Sequence, residues 1–214
     1  GSLPEAMRNY LARLGWSHGD DELFSDEQAI AWFDIADANK GAARLDWDKL
    51  NHVNAHYIRL ADDARLTDLV AAVFDQRGEP LDAGRRAVAL RTIPLVKERA
   101  KTILELADQL TFVFRPRPIP LDDKAKGQLT DETLARLRRL ADLLAAANDW
   151  SPEALHDLLQ TFATTEGVGF GKFGPPMRAI LTGGSASPDL NRTLASLGRE
   201  EALARLNDAL SPRA

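Results

Sequence analysis

The chain has 214 residues, 44% of them hydrophobic and 28% charged, with a formal net charge of −5, an ordinary composition for a globular protein. It contains no cysteine, which excludes a disulfide scaffold and a thiolate metal site and fits a reducing cytosol. No apolar run approaches the roughly 18 residues that span a bilayer and no signal peptide is seen, so no membrane partner is expected.

Gly1-Ser2 looks like the remnant of a cleaved expression tag, and the natural start is expected upstream. Leu3-Pro4-Glu5 enters a helix, because proline suits a first turn and an acid favours the positive end of the helix dipole. Met7, Tyr10, Leu11 and Leu14 follow at helical spacing, and Gly15 closes the segment. A polar loop leads to Ser25-Asp26-Glu27-Gln28, a capping box in front of Ala29, Ile30 and Phe33. A third helix from about Asp46 places Leu50, Val53, Asn54 and Tyr57 on one side. His52 and His56 imitate a zinc-binding pair, but Val53 stands where the glutamate of HExxH belongs and no third ligand is suggested. No metal is assigned.

Leu66, Leu69, Val70, Val73 and Phe74 give another amphipathic helix, ended by Gly78 and Pro80. Ala83 to Leu90 restarts it, and Ile93-Pro94 predicts a break. A helix over 95–106 is expected next, with Val96, Ala100, Ile103, Leu104 and Ala107 as its apolar stripe and Lys97, Arg99 and Lys101 off it. From Arg85 to Arg117, eight Lys or Arg stand against three acids. Such a run is ordinarily a solvated face, although an acidic whole-chain charge can hide a basic patch for a polyanion.

RPRPIPLDD, starting at Arg115, reads as an extended connector. Thr130-Asp131-Glu132 caps a helix carrying Leu134, Leu137, Leu140, Ala141 and Leu144, and Ser151-Pro152-Glu153 opens one carrying Leu155, Leu158, Leu159 and Phe162. Gly169 to Gly174 satisfies GxGxxG, yet it follows a helix and lies in no βαβ unit, so it reads as a loop. Pro175 to Thr182 is a short helix closed by Gly183. Ser187-Pro188 starts another that ends at Leu197-Gly198, and Glu200 to Leu210 is the last. The expectation is an all-α chain of helical bundles without internal repeats.

Three stretches carry a family resemblance. LPEAMRNYLARLGWSHGDDELFS, the Phe33-Asp34 pair and LDWDKLNHVNAHYIR together resemble bacterial-type glutamyl-tRNA synthetases in the region after the catalytic KMSKS-type loop. LVKERAKTILEL resembles the family's ERxKTLxEL-like helix, with Ile103 where leucine is usual. PPMRAILTGG followed by SPDL resembles its terminal anticodon-binding subdomain, with Ser187 where threonine is common. The resemblance implies the C-terminal half of such an enzyme: a stem-contact segment over 1–62 and anticodon-binding subdomains over 63–147 and 148–214. Neither a HIGH-like nor a KMSKS-like motif is present, so the fragment is expected to be inactive alone and to hold no cofactor. The full-length enzyme so implied is a monomeric cytoplasmic ligase that joins glutamate to the tRNA 3′ end with ATP and Mg²⁺.

The resemblance also implies roles for individual residues. Arg99 falls on the arginine that reads the third anticodon letter, the cytosine separating glutamate from glutamine codons. A guanidinium offers planar paired donors that lysine cannot copy, and RNA sequence is usually read from splayed-out loop bases. Arg178, Ser187, Pro188 and Leu190 fall on residues that surround the first anticodon base. Lys97, Lys101 and Lys172 are candidate contacts to the RNA backbone. Read as residues alone, Arg178 fits a surface ion pair, Ser187 an N-cap, and Pro188 and Leu190 packing. The implied partner is the anticodon arm of tRNA(Glu), not DNA. Two alternatives stand beside it: a paralogue charging the glutamine tRNA or both tRNAs, and a helical protein-interaction scaffold with a basic face.

Overall fold

The computed structural model describes residues 1–39, 41, 43–184 and 187–211, and every regular element among the described residues is helical. They form two compact units, Gly1–Leu81 with Lys97–Asp108, and Asp82–Val96 with Gln109–Ala214. No helix of the described residues is long and apolar enough to cross a membrane.

The first unit opens with α1 (Pro4–Gly15), α2 (Asp26–Trp32), α3 (Trp47–Leu60) and α4 (Asp63–Gln76). Short polar side chains start three of them: Ser25 caps α2, Asp46 caps α3 and Asp62 caps α4, each accepting backbone N–H groups that the first turn leaves unpaired. The capping box at Ser25 forms in full, with Ser25 Oγ accepting from Gln28 N at 3.2 Å and Gln28 Oε1 from Ser25 N at 2.9 Å. The helix behind it buries nothing, however, and Ile30 is 81% exposed.

α1 turns a different face inward from the one its periodicity suggests. Leu3, Ala6, Asn9 and Tyr10 are buried, while Leu11 is exposed. A polar residue takes the inner face because its carboxamide is satisfied there: Asn9 donates to the Glu22 carbonyl and accepts from Phe24 N and the Tyr57 hydroxyl. At the entry of α1 the Glu5 carboxylate takes two bonds from the Arg65 guanidinium, which hold its pKa below the ordinary glutamate value.

The second unit contains α5 (Ala83–Val96), the later part of α6 (Ile103–Phe114), and then α7 (Asp123–Gln128), α8 (Asp131–Ala146), α9 (Pro152–Glu166), α10 (Gly174–Thr182), α11 (Leu190–Leu197) and α12 (Arg199–Leu210). α11 packs against α9, α5 and α12, and α12 also against α8 and α10. Leu137, Leu140, Leu155, Phe173, Met177, Leu194 and Leu206 are fully enclosed. Thr130 and Ser151 cap α8 and α9 as expected, and Gly183, at φ +63°, closes α10 in the left-handed region that glycine adopts without steric cost.

Two expectations are corrected and one element is added. α5 runs through Pro94 to Val96, and a 3-10 turn over Lys97–Arg99 follows, so no helix spans 95–106. Pro94 lies in the last turn, where it removes a single helical bond, and the burial of Ile93 and Val96 holds the flanking residues helical. The break falls instead at Ala100–Thr102, with Leu104 beyond it exposed. Next, residues 123–128 form α7, capped by Asp122, which accepts from Ala125 N at 2.7 Å. Finally, α11 begins at Leu190 and Ser187 does not cap it.

Candidate nucleic-acid interface

Arg99 is exposed and ends the 3-10 turn between α5 and α6. Two devices fix that turn. From the C-terminal side, Thr102 Oγ1 accepts from Glu105 N at 3.1 Å while the Glu105 carboxylate reaches back to Lys101 N at 2.8 Å. This is the reciprocal pattern of a capping box, displaced by one residue on its return bond. From the side, the fully buried Asn54 on α3 donates to the Lys101 carbonyl at 2.6 Å and accepts from Leu3 N at 2.7 Å. Thr102-x-x-Glu105 is the signal in the sequence that marks a helix start here.

The turn faces α3 across a cleft of about 310 Å³ lined by Asp48, His52, Ala55, Arg59, Glu98, Arg99, Ala100 and Lys101. Positions 48, 52, 55 and 59 repeat at helical spacing, so they share one face of α3. Ala55, buried and small, leaves room for the turn's backbone. Lys97, expected near RNA phosphate, has its ammonium 2.8 Å from the Asp63 carboxylate and 3.1 Å from the Ala61 carbonyl, with the side chain only 15% exposed. Lys101 is exposed.

Among the described residues no group of three or more His, Cys, Asp or Glu could hold a metal ion. Burial first, then the nearby Arg59 and His52, push the His56 pKa down. A larger hollow of about 890 Å³ in the same unit is lined by Tyr10, Arg13, Arg44, Trp47 and Lys49 among others, and Trp47 is 67% exposed.

In the second unit Arg178, Ser187, Pro188 and Leu190 do come together. Half-buried on α10, Arg178 donates through Nη1 to the Ser187 hydroxyl at 2.8 Å, to the Ser187 carbonyl at 3.2 Å and to the Pro188 carbonyl. The Pro188 carbonyl also accepts from the Thr193 hydroxyl at 3.0 Å. Arg178 therefore staples the turn that leads into α11, a role neither a surface ion pair nor an N-cap describes. Pro188 and Leu190 are buried, Leu190 as the first residue of α11. Residues 185 and 186, just before Ser187, lie outside the described residues.

Lys172 is exposed at the end of a 3-10 turn over Phe170–Lys172, where Arg136 chiefly, and Lys172 to a lesser degree, hold the Glu132 carboxyl below its ordinary range. The glycine pattern around it has a packing reason, since a Cβ on Gly174 would stand 2.2 Å from the Phe170 ring. The stretch is thus a turn and a helix start, and no phosphate loop.

One residue of structural weight escaped the sequence reading. Arg205 on α12 is 1% exposed, and its guanidinium donates to the carbonyls of Phe112 at 2.8 Å, Leu181 at 2.6 Å and Arg115 at 3.0 Å, and to the Glu201 carboxylate at 2.6 Å. It satisfies the carbonyl ends of α6 and α10 together, where a cation is also favoured by the helix dipoles. A lone arginine at an apolar-looking position carries no sequence signal for that.

Comparison with known proteins places this geometry. The family described as "Anticodon binding domain" matches residues 51–210. The chain is 60% identical, over all 214 of its residues, to a glutamate–tRNA ligase of Caulobacter vibrioides, and 56% identical to that of Phenylobacterium zucineum, covering 46% of each. A crystal structure of a glutamate–tRNA ligase from Elizabethkingia meningosepticum superposes with a TM-score of 0.79 at 29% identity, covering 98% of this chain and 41% of that one. The chain thus spans about half the length of the curated relatives it matches. From the match over residues 51–210, most of its length, the chain belongs to the family described as "Anticodon binding domain".

Proposed function

We propose that this chain is the C-terminal half of a glutamyl-tRNA synthetase and holds the anticodon arm of tRNA(Glu). Arg99 reads the third anticodon letter, and the turn stapled by Arg178, with Ser187, Pro188 and Leu190, encloses the first. Lys101 and Lys172, both exposed, meet the RNA backbone, while Lys97 is tied to Asp63 and sets the Arg99 turn in place. The functional division is a stem-contact segment over 1–62 and anticodon-binding subdomains over 63–147 and 148–214, which cuts across the two compact units. The whole enzyme joins glutamate to the tRNA with ATP and Mg²⁺, as a cytoplasmic monomer. No residue of this half is assigned to hold either.

The observation that carries this reading is an exposed arginine on a turn that is fixed from two sides and opens on a cleft. Reading a base by a guanidinium needs a donor fork held rigidly beside a space that admits an unstacked nucleotide. The test is binding of the chain to the tRNA(Glu) anticodon stem-loop and to the same stem with an unrelated anticodon. Salt is held fixed, because phosphate contacts alone give a strong, sequence-blind affinity. The cognate loop is expected to bind at least about tenfold tighter, since each mismatched base contact costs about 1–3 kcal/mol. Equal binding to both loops contradicts the reading and leaves a generic basic face.

A further inference from the structure

The cleft beside Arg99 has a second wall, formed by α3. His52 and Arg59 stand on the face of α3 that looks onto the 98–101 segment, with Ala55 between them as the floor. Arg59 is half-buried and hydrogen-bonds no described residue, and His52 is exposed. The cleft carries charge of both signs, but unevenly. Asp48 lies eleven residues from Arg59 along α3, a separation of about 16 Å at the rise of an α-helix. Glu98 also lines the cleft from the 98–101 side, so Arg59, Arg99 and Lys101 stand against Asp48 and Glu98, and the end of α3 holding Arg59 contributes no acid of its own. Its volume of about 310 Å³ stands at the small end of ligand pockets, which run from about 300 to 1,000 Å³. That suits a single nucleotide better than a folded partner.

We propose that α3 supplies half of this binding site: Arg59 holds a phosphate flanking the nucleotide that Arg99 reads, and the His52 ring stacks on that nucleotide. The inference rests on the anticodon reading above and adds to it the residues that bind without discriminating. The two roles separate cleanly in chemistry. A phosphate contact gives affinity that falls with salt and ignores sequence. A ring under a splayed-out base gives affinity that is insensitive to salt and tolerant of base identity. The guanidinium of Arg99, in contrast, supplies discrimination.

The test is a salt series of stem-loop binding for the full chain and its variants. Arg59→Gln is expected to weaken binding of loops with cytosine and with guanine as third letter by the same factor, about fivefold or more. It should also lower the slope of log affinity against log salt by about 0.7, the value for one single-strand phosphate contact. His52→Ala is expected to weaken both loops equally with the slope unchanged, and His52→Phe to restore affinity because it restores a ring. An unchanged thermal melting curve for each variant separates lost contact from lost fold. If Arg59→Gln leaves affinity and slope at wild-type values while Arg99→Gln still removes the cytosine preference, the anticodon reading stands and this inference falls. If the wild-type chain does not distinguish the loops at all, the reading beneath it fails and takes the inference with it.

Discussion

Arg205→Leu is expected to destabilise the second unit by about 3–5 kcal/mol, the range for breaking a buried, fully bonded charge. Leucine fills part of the space but donates nothing, so the carbonyls of Phe112, Leu181 and Arg115 lose their bonds to this side chain inside the core. Each buried acceptor left unsatisfied costs about 1–3 kcal/mol. Glu201 contributes less to the loss, because its side chain is 35% exposed and can turn to water. Arg205→Lys keeps the charge but not the planar fork that reaches several acceptors at once, so an intermediate loss is expected. Urea unfolding followed by circular dichroism measures both. A loss below about 1 kcal/mol for the leucine variant, within the range of ordinary surface substitutions, contradicts the assignment of Arg205 as the tie between these helix ends.

Asn54→Leu carries the second large effect, and it touches function as well as stability. The two side chains share one branched shape, although leucine is the larger, so the expected loss of about 2–4 kcal/mol comes chiefly from lost hydrogen bonds, with Leu3 N and the Lys101 carbonyl left unpaired. Three of the four tryptophans, Trp16, Trp32 and Trp47, lie in the first unit, so fluorescence during urea unfolding reports on it. The Lys101 carbonyl lies two residues past Arg99, in the break that follows its turn, and without its bond the guanidinium is no longer held at one place. Discrimination between third letters is therefore expected to shrink in Asn54→Leu even under conditions where the chain stays folded. A variant that loses stability but keeps full discrimination shows that Thr102 and Glu105 alone hold the turn.

The helical character of the chain was legible because caps and apolar spacing are local: Ser25, Thr130 and Ser151 each mark a start that the structure keeps. What the sequence hid was decided by tertiary partners. Leu11 falls on the apolar stripe of α1 in the sequence, yet the structure buries Asn9, whose carboxamide accepts from the Tyr57 hydroxyl and the Phe24 backbone. Pro94 reads as a helix start because its own bond is missing, yet burial of Ile93 and Val96 carries α5 past it. α7 covers six residues, too few for a helical period to appear. The resemblance put Arg178 and Ser187 in one place, but the bond between them needed the fold, since nothing in the spacing of positions 178 and 187 aims one at the other. Arg59, likewise, becomes a candidate only when α3 is seen to face the turn that carries Arg99.

The role of Arg99 is measured most directly by a four-way comparison at one salt concentration. Wild-type chain and Arg99→Gln are each titrated with anticodon stem-loops carrying cytosine or guanine as the third letter. A paired guanidinium–base contact discriminates by about 1–3 kcal/mol. The wild-type chain is therefore expected to prefer cytosine by roughly five- to 150-fold, and Arg99→Gln to bind both loops within about twofold of one another. A cytosine preference that survives the substitution places the reader elsewhere. Equal binding of both loops by the wild-type chain contradicts third-letter reading altogether, and points to an enzyme that accepts glutamate and glutamine tRNAs alike.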